Sequence, residues 1–112
     1  MLFAATGLLH PGRLRAISAI EATVRHWPGS NLGVHRFGGM AFAFDGKESS
    51  HLHGNGLLDC FVGKANRDAL VIAGRALPHH VLPGSGWISF WINDERDVEP
   101  ALELIRIAAA AK

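Results

Sequence analysis

The chain has 112 residues, of which 48% are hydrophobic and 19% charged, and a formal net charge of +1. This balance argues against disorder and fits one domain that buries roughly 60–70% of its unfolded surface without a disulfide. There is no run of Lys or Arg to act as a nucleic-acid footprint, and no apolar segment near the about 20 residues that span a bilayer.

Residues 1–11 read as an apolar arm led by Met1-Leu2-Phe3. A basic n-region is missing, so a secretory signal is not expected. The arm is expected to pack on the domain or on a second subunit. A first helix is predicted from about Pro11 to His26. Leu14, Ile17, Ile20 or Glu21, and Val24 recur at three- and four-residue steps, the spacing of one helical face. Pro11 suits the first helical position, and Pro28 disfavours helical backbone just before it. Trp27 is expected to anchor against the core.

Val34–Phe37 reads as a short strand, Gly38-Gly39 as a turn and Met40–Phe44 as a second strand with Met40, Phe42 and Phe44 on one face. Asp45-Gly46 is a strong hairpin signal. Ser50–His53 is predicted as the third strand and Leu57–Val62 as the fourth, joined by Gly54-Asn55-Gly56. Lys64–Ala73 reads as a helix with Gly74 at its carboxyl cap. Pro78 and Pro83 bracket a loop. In the strand Trp87–Ile92, Ile88, Phe90 and Ile92 face one way, and Trp87, Ser89 and Trp91 face the other. Asp97 is expected to cap a last helix with Val98, Ala101, Leu102, Ile105 and Ala108 or Ala109 on its apolar stripe. Tight turns between the early strands make them antiparallel. The expectation is one α+β domain: a sheet of about five strands, with two or three helices mainly on one face.

The polar chemistry gathers in two stretches. The first, Glu48 to Asp59, holds two of the seven histidines, His51 and His53. Two apart on a strand, they project from the same face. The second holds His79-His80 in the loop before Trp87. His51, His53, His79 and His80 are therefore candidate metal ligands, with Glu48 or Asp59 to complete a set. Zinc wants three or four such donors. The same histidines are also catalytic candidates, because an imidazole near pH 6.5 exchanges protons close to neutrality. In that reading His51 or His53 pairs with Asp59, and His79 or His80 with Glu48. The plainer alternative is a hydrogen-bonded network that braces strand and loop. Arg36 and Arg75 are candidate anion-binding residues. Trp87 and Trp91 are candidates for an aromatic ligand or partner surface. Cys60 lies in an apolar run and is expected to pack in the core. A lone cysteine fits a reducing cytoplasm.

These residues fall into a pattern: Val34-His35-Arg36-Phe37-Gly38-Gly39, Glu48, His51-Leu52-His53-Gly54, Leu58-Asp59, Gly74-Arg75-Ala76, His79-His80-Val81-Leu82-Pro83 and Ser85-Gly86-Trp87-Ile88-Ser89-Phe90. The pattern resembles the small bacterial and fungal family whose domain carries the label "luciferase", loosely also "phospholipase". The resemblance covers most of the chain from about Gly12. It implies a site at His51, His53, Gly54, His79, His80 and Pro83, with no role assigned to each. The order of hairpin, Trp-containing strand, acidic residue and final helix is also similar to the MmcQ/YjbR group. Those are small α+β domains with a frataxin-like sheet, and a DNA-binding role has been proposed for some.

Three functional readings follow. The first is a cytoplasmic binding or interaction module with no established cofactor, dimeric through the arm or the tryptophan face. The second is a histidine-based, metal-assisted enzyme of hydrolase type. The third is a weak DNA-binding domain, which the small positive charge opposes.

Overall fold

The computed structural model describes residues 10–34 and 38–111. Helix α1 (Pro11–Val24) precedes four strands, β1 (Ser30–Val34), β2 (Met40–Phe44), β3 (Lys47–Leu52) and β4 (Leu57–Phe61). Helix α2 (Lys64–Ile72), strands β5 (Leu77–Pro78) and β6 (Trp87–Trp91), a 3-10 turn (Glu95–Asp97) and helix α3 (Val98–Ala110) complete the chain. The six strands form one sheet in the order β1-β2-β3-β4-β6-β5, with every neighbouring pair antiparallel. The α+β class is as expected.

The sheet has one strand more than about five because of β5. Its two residues pair with Ser89 and Ile88 at the sheet edge. A two-residue strand has no period to read, and proline is tolerated at an edge, where no ladder donor is needed. β1 also differs from expectation, since it begins at Ser30, before the expected start at Val34. Pairing along its whole length with β2 overrides the weak strand propensity of Asn31 and Gly33. His35, Arg36, Phe37 and residues 1–9 of the expected arm lie outside the described residues, and Pro11 opens α1.

The hairpin β2–β3 turns at Asp45 (φ 52°) and Gly46 (φ 84°), the double positive-φ pattern that matches strand twist. The β3–β4 turn needs Gly56. Its φ is +93°, and a Cβ there would lie 2.4 Å from the Ile92 carbonyl oxygen. That contact ties the β3–β4 turn to the end of β6, where the Ile92 amide donates to the Gly56 carbonyl at 2.8 Å.

Residues paired across a ladder share a face. One row therefore reads Phe42–Ser50–Cys60–Ile88, and the next reads Met40–Leu52–Leu58–Phe90. These side chains form the core with Ile20 and Val24 of α1, and with Leu104 and Ile105 of α3. This is the helix face. α3 lies across β3 and β4, and α1 packs beside α3. The small helix α2 packs at the β5–β6 edge, with Leu70 buried.

Two helix details correct the expectations. In α1 the buried stripe is Ala16, Ile20 and Val24, and Leu14 is 47% exposed. The neighbouring Arg13 side chain faces the end of β6, donating to the Ile92 carbonyl at 3.0 Å and to Asn93 at 3.0 Å. Ahead of α3, the capping side chain is Asp94, which accepts from the Arg96 amide at 3.0 Å. Asp97 reaches back to the amides of Asn93 and Asp94, so the two aspartates form a reciprocal capping box around the 3-10 turn. Trp27 does anchor on the core. Its ring meets Phe44 at 6.2 Å between centroids, and the Arg106 guanidinium lies 4.5 Å from it. Among the described residues, no helix is long and apolar enough to cross a membrane.

Candidate functional site

The alternate residues of the same strands build the other face. Its central row reads Ala41–His51–Asp59–Ser89–Leu77, flanked by the pair Phe61–Trp87. This far face is turned away from α1 and α3. It carries every charged or imidazole side chain that the strands contribute to the site.

Asp59 is the centre. It is 3% exposed, so its charge needs partners. The Ser89 hydroxyl donates to Oδ1 at 2.7 Å, and His53 Nε2 donates to Oδ2 at 3.0 Å. Two further imidazoles come from the loop between β5 and β6. His79 Nε2 lies 3.6 Å from Oδ2, and His80 Nδ1 lies 3.9 Å from Oδ1. The two histidine rings stack with centroids 4.4 Å apart. Trp87 forms one wall, meeting the rings of His51 at 5.5 Å, Phe61 at 5.7 Å and His79 at 6.0 Å.

Glu48 joins this face through a backbone irregularity. Three residues before His51, it would project from the opposite face of a regular strand. The β2–β3 register shifts between Phe42 and Ala43, where Ser50 opposes the first and Glu48 the second. Ser49 is the extra residue of this β-bulge. The bulge carries Glu48 to the far face, where its carboxylate accepts from His51 Nε2. Buried in the bulge, Ser49 Oγ has no hydrogen-bond partner among the described residues.

The loop is braced at both ends. The amides of Val81 and Leu82 donate to His79 Nδ1, each at 3.1 Å. The Ser85 hydroxyl donates to the Leu82 carbonyl at 2.7 Å and accepts from the Trp87 amide at 3.2 Å. Arg67 of α2 donates to the Ser85 carbonyl at 3.1 Å. Burial pushes the His79 pKa below its ordinary value, as do the like charges of His80, His51 and His53, and Asp59 opposes them. Two amides aimed at Nδ1 act in the same direction, because a protonated nitrogen could not accept them.

The two predicted histidine pairs thus converge, and His53 pairs with Asp59 as expected, but Glu48 does not meet His79 or His80. Glu48 meets His51, while His53, His79 and His80 turn to Asp59. Trp91 shares the far face with Trp87. At roughly 3.3 Å per residue it stands about 13 Å further along β6, with Ser89 between them. Arg75 lies elsewhere, paired with Glu103 at 3.2 Å beside a cleft of about 320 Å³ that Phe90, Asp97 and Leu104 also line. Sequence reading missed Ser89 as a member of the site. Its signal was a small hydroxyl in a strand of large apolar residues, on the face of Trp87.

Three chemistries are open to this arrangement: proton exchange near neutrality, ligand binding through imidazole N–H groups, and metal coordination. Ligand atoms of Asp59, His79 and His80 all lie within 4.8 Å of one another. Zinc bonds of about 2.0–2.2 Å imply tetrahedral edges of roughly 3.3–3.6 Å. The 3.6 and 3.9 Å separations run to different oxygens of Asp59, so the donor set fits a metal in type, and its atoms would have to draw closer to share one ion.

The class is therefore an antiparallel α+β domain with a histidine–aspartate site on the sheet face away from its helices. Within that class, the chain belongs to the luciferase-domain family, whose model matches residues 46–108, more than half of the chain. The matched stretch contains Glu48, His51, His53, Asp59, His79, His80, Trp87 and Ser89, and it omits α1, β1 and β2. No curated protein and no solved structure gives a significant match.

Proposed function

We propose that the domain binds a small anion, such as a carboxylate or phosphate group, at the mouth of the Asp59 cluster. The observation that carries this reading is the convergence of three imidazoles, His53, His79 and His80, on one buried carboxylate. Asp59 already accepts from Ser89 at Oδ1 and from His53 at Oδ2, so both of its oxygens are engaged within the site. What the site presents to solvent is imidazole, with the His80 side chain 53% exposed. An imidazole N–H at such a mouth favours a ligand rich in acceptors.

Titration of isotope-labelled protein with inorganic phosphate and with acetate tests this. The expected result is saturable shifts at His80 and Trp87, lost in His80→Ala. Binding that is absent, or unchanged in His80→Ala, would overturn the reading.

A second reading has its own observation, the gathering of Asp59, His79 and His80 donor atoms within 4.8 Å of one another. Here the bound species is a transition metal such as zinc. Elemental analysis of tag-free protein decides it. One metal per chain, lost in Asp59→Ala, supports this reading, and sub-stoichiometric metal after incubation with zinc sinks it. The His79 tautomer weighs against it, because a ring nitrogen that carries a proton cannot also bind the ion.

A further inference from the structure

The loop histidines divide their labour, and the division is written in which ring nitrogen faces what. His79 Nδ1 points at the amides two and three residues ahead, Val81 and Leu82, each 3.1 Å away. Those are the amides that an Asn or Asp side chain caps when it starts a turn. To accept both, Nδ1 must be unprotonated, which leaves the proton of the neutral ring on Nε2. Nε2 is the atom facing Asp59 Oδ2 at 3.6 Å. The ring therefore stands between the loop backbone, which it caps, and the buried carboxylate, which it faces.

His80 is placed differently. Its ring stacks on His79, and its Nδ1 faces Asp59 Oδ1 at 3.9 Å. With Nδ1 turned inward and the side chain half-exposed, the Nε2 edge is the edge available to a ligand.

We propose that His79 is a positioning residue, held as the Nε2–H tautomer to fold the loop and aim its stacked neighbour, and that His80 is the residue that meets the ligand. The second half rests on the anion-binding reading above, whereas the first half does not. In this arrangement His79 substitutes for a turn-capping amide. Its ring adds what a shorter side chain lacks, a second nitrogen long enough to reach Asp59. The hydrogen bonds that follow, from Leu82 through Ser85 to Trp87, carry the fixed backbone into β6.

Two isosteric variants separate the two nitrogens. Asn places its side-chain oxygen near the Nδ1 position, and Gln places its polar end near Nε2. The experiment measures the imidazole tautomers by nitrogen-15 spectroscopy and amide exchange at Val81 and Leu82 in wild type, His79→Asn, His79→Gln and His80→Ala. Inorganic phosphate serves as the binding probe.

The expected spectrum shows His79 unprotonated at Nδ1 and protonated at Nε2. Amide protection at Val81 and Leu82 is expected to survive in His79→Asn and His80→Ala. In His79→Gln it should fall by about tenfold, the size of one lost hydrogen bond. Phosphate binding is expected to persist in His79→Asn, weaken in His79→Gln and vanish in His80→Ala.

A proton on His79 Nδ1, or equal exchange in the Asn and Gln variants, would overturn the positioning role. If wild type binds no phosphate while the tautomer and exchange pattern hold, the anion reading fails and the positioning role stands.

Discussion

On the helix face, Phe42, Ser50, Cys60 and Ile88 form a row across four strands. One residue along each strand, Ala41, His51, Asp59 and Ser89 form the neighbouring row on the far face. Both rows are tightly packed at their centres, and Ser50, Asp59, Cys60 and Ser89 are all 3% exposed or less. In the helix-face row, the polar Ser50 makes a weak contact, Ser50 Oγ to Cys60 Sγ at 3.4 Å. The Cys60 thiol pKa is pushed up to about 12, chiefly by burial. The far face instead holds a carboxylate and surrounds it with donors. A strand period of two thus lets one stretch, Leu58-Asp59-Cys60, serve a dry core and a polar site at once. The cost is that each face breaks by a different mechanism.

The largest break is expected on the helix face. Leu58→Ala removes a fully buried side chain, and the cavity left behind should cost about 2–5 kcal/mol, read from the urea midpoint. A loss under about 1 kcal/mol would mean that this face is loosely packed, contrary to the contrast.

Asp59→Ala strikes the far face at its centre. It strands the Ser89 hydroxyl and the His53 Nε2–H and should cost roughly 1–3 kcal/mol. Its distinguishing mark is spectroscopic. The resonances of His53, His79 and His80 should all move, while those of Phe42 and Ile88 stay in place. Equal movement on both faces would dissolve the distinction.

Acid should separate the faces more gently. The folded His79 pKa lies below its unfolded value of about 6.5, so between the two the unfolded chain binds more protons. This contribution to stability is complete above the unfolded value. It is lost as pH falls through that value towards the folded one. A stability profile measured from pH 8 to 5 should fall on the acid side, and His79→Asn should flatten that fall. A profile that rises on acidification would contradict the assignment.

Ser50→Ala should be the mildest change, under about 1 kcal/mol, because it removes one weak bond to sulfur. With its thiol held protonated, Cys60 should resist a disulfide reagent at pH 8 in the folded protein and react at once in denaturant.

Much of the fold was legible because its signals are local. Asp45-Gly46 announced its hairpin, Pro11 its helix start, and the alternation in Trp87–Ile92 gave both faces of β6 correctly. The start of β1 and the existence of β5 were not legible, since partners in the sheet and not their own residues define them. The site was legible as a set of residues but not as a set of pairs. His51 and His53 share a face by spacing, yet nothing in spacing says that His53 takes Asp59 while His51 takes Glu48. The Glu48–His51 pair depends on the bulge, and a one-residue bulge leaves no mark in a sequence that reads Glu-Ser-Ser-His. The capping role was misplaced for a similar reason. Asp94 and Asp97 are both sound caps by type, and only the 3-10 turn between them decides which leads.

The bulge also governs how this segment could change length over evolution. Ser49 is the supernumerary residue between Glu48 and Ser50, so a chain lacking it would pair β2 and β3 without interruption. Glu48 and His51 would then be separated by one residue and would still share the far face through ordinary alternation. Because positions 49 and 50 are both serine, deletion of either yields the same chain. The serine pair is thus a place in β3 where a single-codon deletion leaves both faces in register, and relatives with the carboxylate two residues before the histidine would carry the same ion pair.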